Sequence, residues 1–490
     1  MTVEERGLYP LGVEGAIAFH AARLVPFATT VTAHPRYYTL HSLAALHEGL
    51  DSDDTAGELT RRLDVLMAAA SMLHARADRD NHDPAGVLSE PHGFRTVGRE
   101  LEGTDLPLAT LAASYSGNRY GYSGAYFGVE QALGLSGGTA AAMPLPDSAL
   151  DVLRPLLALA SHDNVPLDTL RDPALCLCAT RTSSDGAALR TALFAADDQG
   201  APESIRTARK TGQLSAALCI TALRGKAVST SVTMALADLC AYGDVAGKLP
   251  SGVDGVDLTA ARWRGALLRN ESVTAWRWMW AWVTRTLHDR PSTQQQLSHA
   301  LAAAFIESAG GDLSYREAVL DPLPPGVAAD QTLLPVEQQI RATQGLVYSN
   351  DPLLWLRMLA VGCRRLDELD EYALPHFMEG PDTWNPQETL SILEVYQGLR
   401  LSQIAEDLAP RVVRRAQQIA RRRQQWTRMG LRMPTKLRPV GDVLYVSGPD
   451  GTGEAALRQF RLQQMLNALG ILGVDDGNWT DGAHAYQILT

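Results

Sequence analysis

Helical periodicity is the feature that most constrains the fold of this chain. Apolar residues recur three and four positions apart in the segments 15–24, 38–47, 56–75, 148–160 and 293–308, which are rich in the strong helix formers Ala and Leu. Strand-like runs are few and short, at 175–180, 228–233, 443–446 and 486–489. The sequence therefore predicts a mainly α fold.

Length and punctuation predict several domains. A chain of 490 residues is too long for one ordinary core. Stretches rich in Gly and Pro at 134–148 and 321–331 interrupt the helical pattern, and a new pattern begins after Asn385. We expect an N-terminal helical domain at 1–145, a middle mainly helical domain at 146–325, a helical connector at 326–384 and a C-terminal domain at 385–490.

Composition predicts a soluble bacterial protein of the cytoplasm. The apolar stretches fall short of a membrane span, and the first residues, MTVEERGLYPLG, carry acids where a signal peptide needs basic residues. Five cysteines, an odd number, fit a reducing compartment. Only four of the 44 basic residues are Lys, a bias towards Arg that is typical of GC-rich bacterial genomes.

A basic run is the main functional signal. Residues 408–441 contain ten cations and no acid, so the remainder of a chain with net charge −11 carries −21. On a helix beginning near Arg411, most of these arginines share one face and could follow a phosphate backbone. The same face could instead dock on an acidic neighbour such as the run DELDE at 367–371. The predicted nucleic-acid-binding residues are Arg411, Arg414, Arg415, Arg421, Arg422, Arg428 and Lys436.

Two patterns near the C-terminus resemble DNA-binding modules. SQIAEDLAPRVVRRAQQIARR, at 402–422, resembles a helix-turn-helix, with Ala409-Pro410 where the turn usually contains glycine. A predicted helix at 454–469, a short strand, the turn DDGNWTDG and a terminal strand at 486–489 resemble the end of a winged-helix domain. Winged-helix domains bind DNA or proteins, so this pattern predicts a fold rather than a function.

A segment rich in tyrosine and glycine, SYSGNRYGYSGAYFGVE at 114–130, is a second candidate site. Aromatic side chains on a flexible backbone can line a pocket or stack on bases, and they can equally anchor a loop to the surrounding helices. The residues of the possible pocket are Tyr115, Arg119, Tyr120, Tyr122 and Tyr126.

Neither a metal site nor a cofactor is predicted. Seven of the twelve histidines fall within the first 92 residues without a recognised metal-ligand spacing. The string HARADRDNHDP, which contains His74 and His82, would be the first place to look for a metal. Cys176 and Cys178 lie in the apolar segment ALCLCAT and are interpreted as small buried thiols.

Four alternating tryptophans in WRWMWAW, at 276–282, predict a helix that is buried nearly all round. Such a helix is typical of a domain core or of a subunit contact.

Three segments together resemble large helical proteins of bacterial antiviral-defence and DNA-modification islands. They are VPFATTVTAHPRYYTLHSLAALHE, GYSGAYFGVEQALGL and the wing-like C-terminus. The resemblance covers about the first 135 residues and the last hundred, and it implies a DNA-associated role, alone or in a complex. It transfers no catalytic residue.

We therefore expect a DNA-binding or DNA-surveillance protein that contacts duplex DNA through its Arg-rich C-terminal helix. One alternative is an enzyme that excises bases from nucleic acid or hydrolyses it, with its site near residues 114–130. Another is a non-catalytic scaffold subunit whose Trp helix and Arg face both contact protein partners.

Overall fold

Helices dominate the computed structural model, and the prediction of a mainly α protein is confirmed. The structure describes residues 10–48, 53–78, 83, 90–114, 123–133, 135, 145–195, 200–242, 253–323, 351–380, 384–427, 430–432, 435–450 and 457–489. Within these ranges there are 19 α-helices and a few small sheets. None of the described helices is both long enough and apolar enough to cross a membrane.

The elements are as follows in chain order. The first eleven helices are α1 (Gly15–Leu24), α2 (Arg36–Glu48), α3 (Asp53–Ala77), α4 (Phe94–Glu100), α5 (Leu108–Ser114), α6 (Ser123–Leu133), α7 (Asp147–Leu150), α8 (Arg154–Ala160), α9 (Ser184–Phe194), α10 (Glu203–Leu223) and α11 (Val232–Leu236). The remaining helices are α12 (Val256–Asp289), α13 (Gln294–Ala309), α14 (Pro352–Arg364), α15 (Ala373–Met378), α16 (Pro386–Val395), α17 (Leu401–Arg422), α18 (Gln459–Ala468) and α19 (Tyr486–Leu489). The strands are β1 (Asp105–Leu106), β2 (Val165–Pro166), β3 (Ser292–Thr293), β4 (Gln425–Thr427), β5 (Gly430–Arg432), β6 (Leu437–Val440), β7 (Val443–Val446), β8 (Leu472–Asp475) and β9 (Asn478–Asp481).

The chain folds into two compact units. The first unit contains the described residues of 21–239, 245–260 and 458–490, and the second contains those of 1–20, 240–244 and 261–457. In this grouping the described residues of 458–490 belong with those of 21–239, and the division into four domains stays a prediction.

The core of the first unit is built around α3. Residues 65–70 of this helix are buried, and α2, α4, α5 and α8 pack against it. In a second layer of this unit, helix α10 packs against α9, α11, α18 and the antiparallel hairpin β8–β9. Trp479 of that hairpin is fully buried, and its backbone N–H donates to Lys226 O at 2.8 Å.

The core of the second unit combines the tryptophan-rich helix α12 with the helices α13, α14, α16 and α17. Trp276, Trp278 and Trp280 are at most 6% exposed and Trp282 is half-buried, so the predicted burial of this helix is confirmed for three of its four tryptophans. Trp276 stacks on Trp384 with ring centroids 4.4 Å apart. Strands β3, β7 and β6 form one antiparallel sheet in that order, and β4 pairs with β5 in a separate hairpin.

Local sequence signals set several helix ends in the second unit. Thr293 forms a capping box with Gln296 at the start of α13, and Gly310 ends that helix with φ at 73°. Asp351 and Asn385 cap α14 and α16 through their side chains, each followed by proline at the first helical position.

Three of the four predicted strands are wrong. Residues 173–181 form short 3₁₀ turns because Asp172 caps Ala174 N–H and Pro173 favours a turn. Ser231 caps a helix where the strand 228–233 was expected. Residues 486–489 form the helix α19, since β8 and β9 already complete the hairpin. The strand at 443–446 is confirmed as β7.

The predicted helix-turn-helix within residues 402–422 is also wrong, because these residues form the single helix α17. A proline inside a helix removes one hydrogen bond and costs about 3 kcal/mol. Burial of Leu408, Ala409, Val412 and Val413 on both sides of Pro410 offsets that cost.

Candidate nucleic-acid interface

Helix α17 is held in the second unit by one apolar face and by its first turn. Its buried residues include Ile404, Leu408, Val412 and Ala416, and the helix packs along α13. At its start, Asp312 accepts hydrogen bonds from Ser402 N and Ser402 Oγ at 3.0 and 2.9 Å. The backbone hydrogen bond lowers the pKa of Asp312, and the carboxylate faces the positive end of the helix dipole.

Arg415 is a structural residue of this helix. Its side chain is 6% exposed, its Nε donates to Leu11 O at 2.9 Å, and its guanidinium lies 5.5 Å from the ring centroid of Trp384. Since these contacts enclose the charge within the protein, Arg415 is not part of an accessible interface.

Two further residues that were predicted to bind nucleic acid form ion pairs with carboxylates of the protein. Arg411 pairs with Asp407 through hydrogen bonds of 2.9 Å and 3.1 Å, and Asp407 also accepts the Tyr396 hydroxyl. Lys436 lies 2.9 Å from Asp450 Oδ1, and Trp280 Nε1 donates to the other oxygen of Asp450 at 2.6 Å. These cations therefore have partners within the protein.

Three of the predicted arginines remain exposed. Arg414, Arg421 and Arg422 face solvent together with Gln418, and no ion pair joins the three to a carboxylate among the described residues. We call these four residues the basic face. Arg428 lies outside the described residues.

The spacing of the basic face follows from helix geometry. At about 100° per residue, its four members lie within an arc of about 100°, and at 1.5 Å per residue they span about 12 Å along the axis. One strand of B-DNA carries about three phosphates over that length. Three guanidinium groups and one carboxamide could therefore donate to successive phosphates.

An antiparallel hairpin follows the basic face directly. Strand β4 begins at Gln425, three residues after the last residue of α17, and pairs with β5 so that Gln425 lies opposite Arg432. This pairing brings the backbone of Arg432 beside that of Gln425, which follows the basic face by three residues.

The acidic run at 367–371 makes other contacts. Glu368 pairs with Arg365 at 2.7 Å and with Arg264 at 3.9 Å. Asp370 accepts the backbone N–H groups of Tyr372 and Ala373 at 2.9 and 2.7 Å. Glu368 and Asp370 therefore have partners of their own, and no contact with α17 is needed to account for these two carboxylates.

The described part of the tyrosine-rich segment is an anchor in the first unit. Tyr126 is fully buried; its hydroxyl donates to His34 O at 3.1 Å and accepts His34 N–H at 3.3 Å. Its ring packs against Tyr37 and Tyr38 with centroids 5.7 and 4.9 Å away. The other predicted pocket residues, Tyr115, Arg119, Tyr120 and Tyr122, lie outside the described residues.

A buried charge cluster adjoins Tyr126, and sequence reasoning missed it. His41 Nδ1 lies 2.7 Å from Glu130 Oε1, and its Nε2 lies 3.7 Å from Asp64 Oδ1. Burial alone would lower the pKa of His41, but the nearby carboxylates of Asp64 and Glu130 raise it to about 10. His41 is therefore an imidazolium at neutral pH. Because all three side chains are buried, the cluster links α2, α3 and α6 rather than facing solvent.

One group of described residues has the arrangement of metal ligands. The donor atoms of His74, Cys176 and Cys178 all lie within 4.8 Å of one another. Sequence spacing did not reveal this group, because His74 and the two cysteines are about a hundred residues apart. Only their packing in the first unit brings them together.

No protein-family model, curated protein or solved structure matches this chain. The functional argument therefore depends on the charges and contacts of its own residues.

Proposed function

We propose that this protein binds nucleic acid, with duplex DNA as the principal ligand, through the basic face of α17. The observation that carries the proposal is the exposure of Arg414, Arg421 and Arg422 on one helix face without an acidic partner among the described residues. The interface is narrower than the sequence predicts, since Arg411, Arg415 and Lys436 are engaged within the protein.

The charge distribution supports a phosphate ligand. Because residues 408–441 carry +10 in a chain of net charge −11, the surface outside this run repels polyanions on average. An approaching nucleic acid is therefore steered towards the basic face. Arginine also forms stronger, bidentate hydrogen bonds to phosphate than lysine does.

The succession of elements around the basic face is compatible with such a role. Helices α16 and α17 are joined by residues 396–400, and the hairpin β4–β5 follows α17. A helix pair followed by a hairpin is the succession found in winged-helix domains. We propose that α17 and this hairpin, rather than the last forty residues, form the nucleic-acid module. The likeness concerns the fold, and the function depends on the exposed charges.

The resemblance to proteins of antiviral-defence islands suggests the setting of this activity, namely surveillance of DNA against phage. In this proposal the basic face acts by contact, and no catalytic residue is assigned. Plaque counts on cells with and without the gene test the setting. Protection that disappears when the three arginines of the basic face are replaced would support it, and unchanged plaque counts would contradict it.

Fluorescence anisotropy of a labelled duplex with the full-length chain tests the binding proposal itself. The variant Arg414→Gln/Arg421→Gln/Arg422→Gln removes three charges from the basic face. The matched control, Arg154→Gln/Arg171→Gln/Arg290→Gln, changes the net charge equally at exposed arginines elsewhere. We expect wild type and control to bind alike and the basic-face variant to bind at least about tenfold more weakly, since each lost phosphate contact weakens binding.

Equal affinities of the two variants would contradict the proposal. Absence of duplex binding by the wild type at low salt would contradict it as well. Labelled single-stranded DNA and duplex RNA in parallel establish whether duplex DNA is the preferred ligand.

A further inference from the structure

One imidazole and two thiol groups meet in the first unit, at the end of α3. His74 lies in the last turn of that helix, while Cys176 and Cys178 belong to the 3₁₀ connection that precedes α9. Cys178 Sγ lies 3.7 Å from His74 Nδ1 and 2.7 Å from Cys176 Sγ. Both cysteines are buried, and His74 is partly exposed.

The backbone around the two cysteines is held by neighbouring side chains. Ser71, one turn before His74 on α3, accepts Leu177 N–H at 3.0 Å. Arg36 donates to Cys176 O and is itself held by Asp185, with Nε 2.9 Å from Oδ2 and both side chains fully buried. The Ser71 bond ties the backbone between the two cysteines to α3, and the Arg36 bond ties it to α2.

The distances can be compared with a tetrahedral zinc site. In a tetrahedral site, bonds of about 2.3 Å to sulfur and about 2.0 Å to nitrogen place two sulfurs about 3.8 Å apart, and a sulfur and a nitrogen about 3.5 Å apart. The Cys178–His74 separation of 3.7 Å already fits. The two sulfurs are closer than a shared ion requires, so they would move apart by about 1 Å when the ion enters.

The ligand chemistry selects the kind of cation. Thiolates and imidazole suit a soft or borderline ion such as zinc, whereas magnesium and calcium require oxygen ligands. Cysteine binds zinc as a thiolate rather than as a thiol. Metal binding must therefore release the two thiol protons.

We propose that His74, Cys176 and Cys178 form a zinc-binding site that joins the end of α3 to the 173–181 connection. The zinc ion accepts electron pairs from two thiolates and one imidazole nitrogen, two protons leave to solvent, and no atom is oxidised or reduced. These three ligands leave a fourth coordination position for water or another ligand. Because the ion binds only the folded arrangement, it stabilises the first unit.

The test uses the full-length chain, reduced and freed of metal by a chelator. Competition with a chromophoric chelator measures zinc stoichiometry and affinity, and cobalt substitution reports directly on the ligands. We expect one equivalent of zinc, a raised melting temperature, and sulfur-to-cobalt charge-transfer absorption together with the visible bands of a tetrahedral site. The variants Cys178→Ser and His74→Gln should each weaken zinc binding at least about tenfold. The control Cys363→Ser removes another buried thiol and should bind zinc as the wild type does.

Three results would overturn the proposal. The first is a cobalt spectrum of the wild type that lacks sulfur-to-cobalt charge transfer. This result does not depend on the folding of any variant. The second is zinc affinity that is equal in Cys178→Ser and in the wild type. The third is a stable disulfide between Cys176 and Cys178 in protein purified under reducing conditions, detected by mass spectrometry.

Discussion

Removal of the buried imidazolium of His41 should destabilise the first unit strongly. In the variant His41→Gln, Glu130 and Asp64 remain as two buried carboxylates without their cation. The gap between the His41 pKa of about 10 and its ordinary value of 6.5 corresponds to about 5 kcal/mol. Loss of one partner from a buried ion pair typically costs about 3–5 kcal/mol. We therefore expect a loss of roughly 3–5 kcal/mol in the free energy of unfolding near neutral pH.

The sign of the pH dependence follows from the same shift. Because folding raises the pKa of His41, its stabilisation is complete below an ordinary value of 6.5 and disappears as the pH rises through about 10. Burial lowers the pKa of the neighbouring His92 to about 3, so stability linked to that group is lost as the pH falls below 6.5. The first unit should therefore be most stable near neutral pH.

Urea unfolding followed by circular dichroism measures the free energy of unfolding of His41→Gln, and His47→Gln is the matched control. His47 lies on the same helix but is exposed, so its replacement should change stability by less than about 0.5 kcal/mol. Addition of Glu130→Gln to the His41→Gln chain removes one of the two like charges and should restore part of the stability. A cost below about 1 kcal/mol for His41→Gln would refute the reasoning. A double variant that is less stable than His41→Gln would refute it as well, and so would an NMR titration of His41 near pH 6.5.

Three further substitutions test the packing around the candidate sites. Gly186→Ala would place a Cβ 1.7 Å from Thr180 O, so a loss of at least about 1–3 kcal/mol is expected in thermal unfolding. The control Gly398→Ala meets no atom within 4 Å and should unfold like the wild type. Arg415→Met should lower stability by about 2–3 kcal/mol through its lost buried hydrogen bond and ring contact, without a change in the salt dependence of DNA binding. Lys436→Met should also leave that salt dependence unchanged, because its ammonium group is paired within the protein; a reduced dependence would show that it contacts DNA.

Periodicity in the sequence was sufficient to predict the main helices. The segment 15–24 is predicted and found with the same ends, and three of the four tryptophans of the tryptophan helix are buried as expected. Short strands were predicted poorly, because an apolar run such as 175–180 fits a buried strand and a buried turn equally well. In that run the cap by Asp172 decides the outcome, and its effect depends on local hydrogen bonds rather than on hydropathy.

The candidate sites depend on contacts that the sequence does not contain. A helical projection places Arg415 beside Arg414, yet Arg415 is buried because Leu11, about four hundred residues away, accepts its hydrogen bond. Helix propensity also favours a break at Pro410, whereas burial on α13 keeps the helix continuous. The ligands of the proposed zinc site are brought together by the packing of α3 against the 173–181 connection, so their sequence spacing gave no signal.

The salt dependence of duplex binding tests the role of the basic face most directly. Each phosphate contact contributes about −0.9 to the slope of log K against log salt concentration. The wild-type slope should therefore be more negative than that of Arg414→Gln/Arg421→Gln/Arg422→Gln by about 2.7, and the matched control should retain the wild-type slope. Equal slopes for the wild type and the basic-face variant would contradict the proposed nucleic-acid interface.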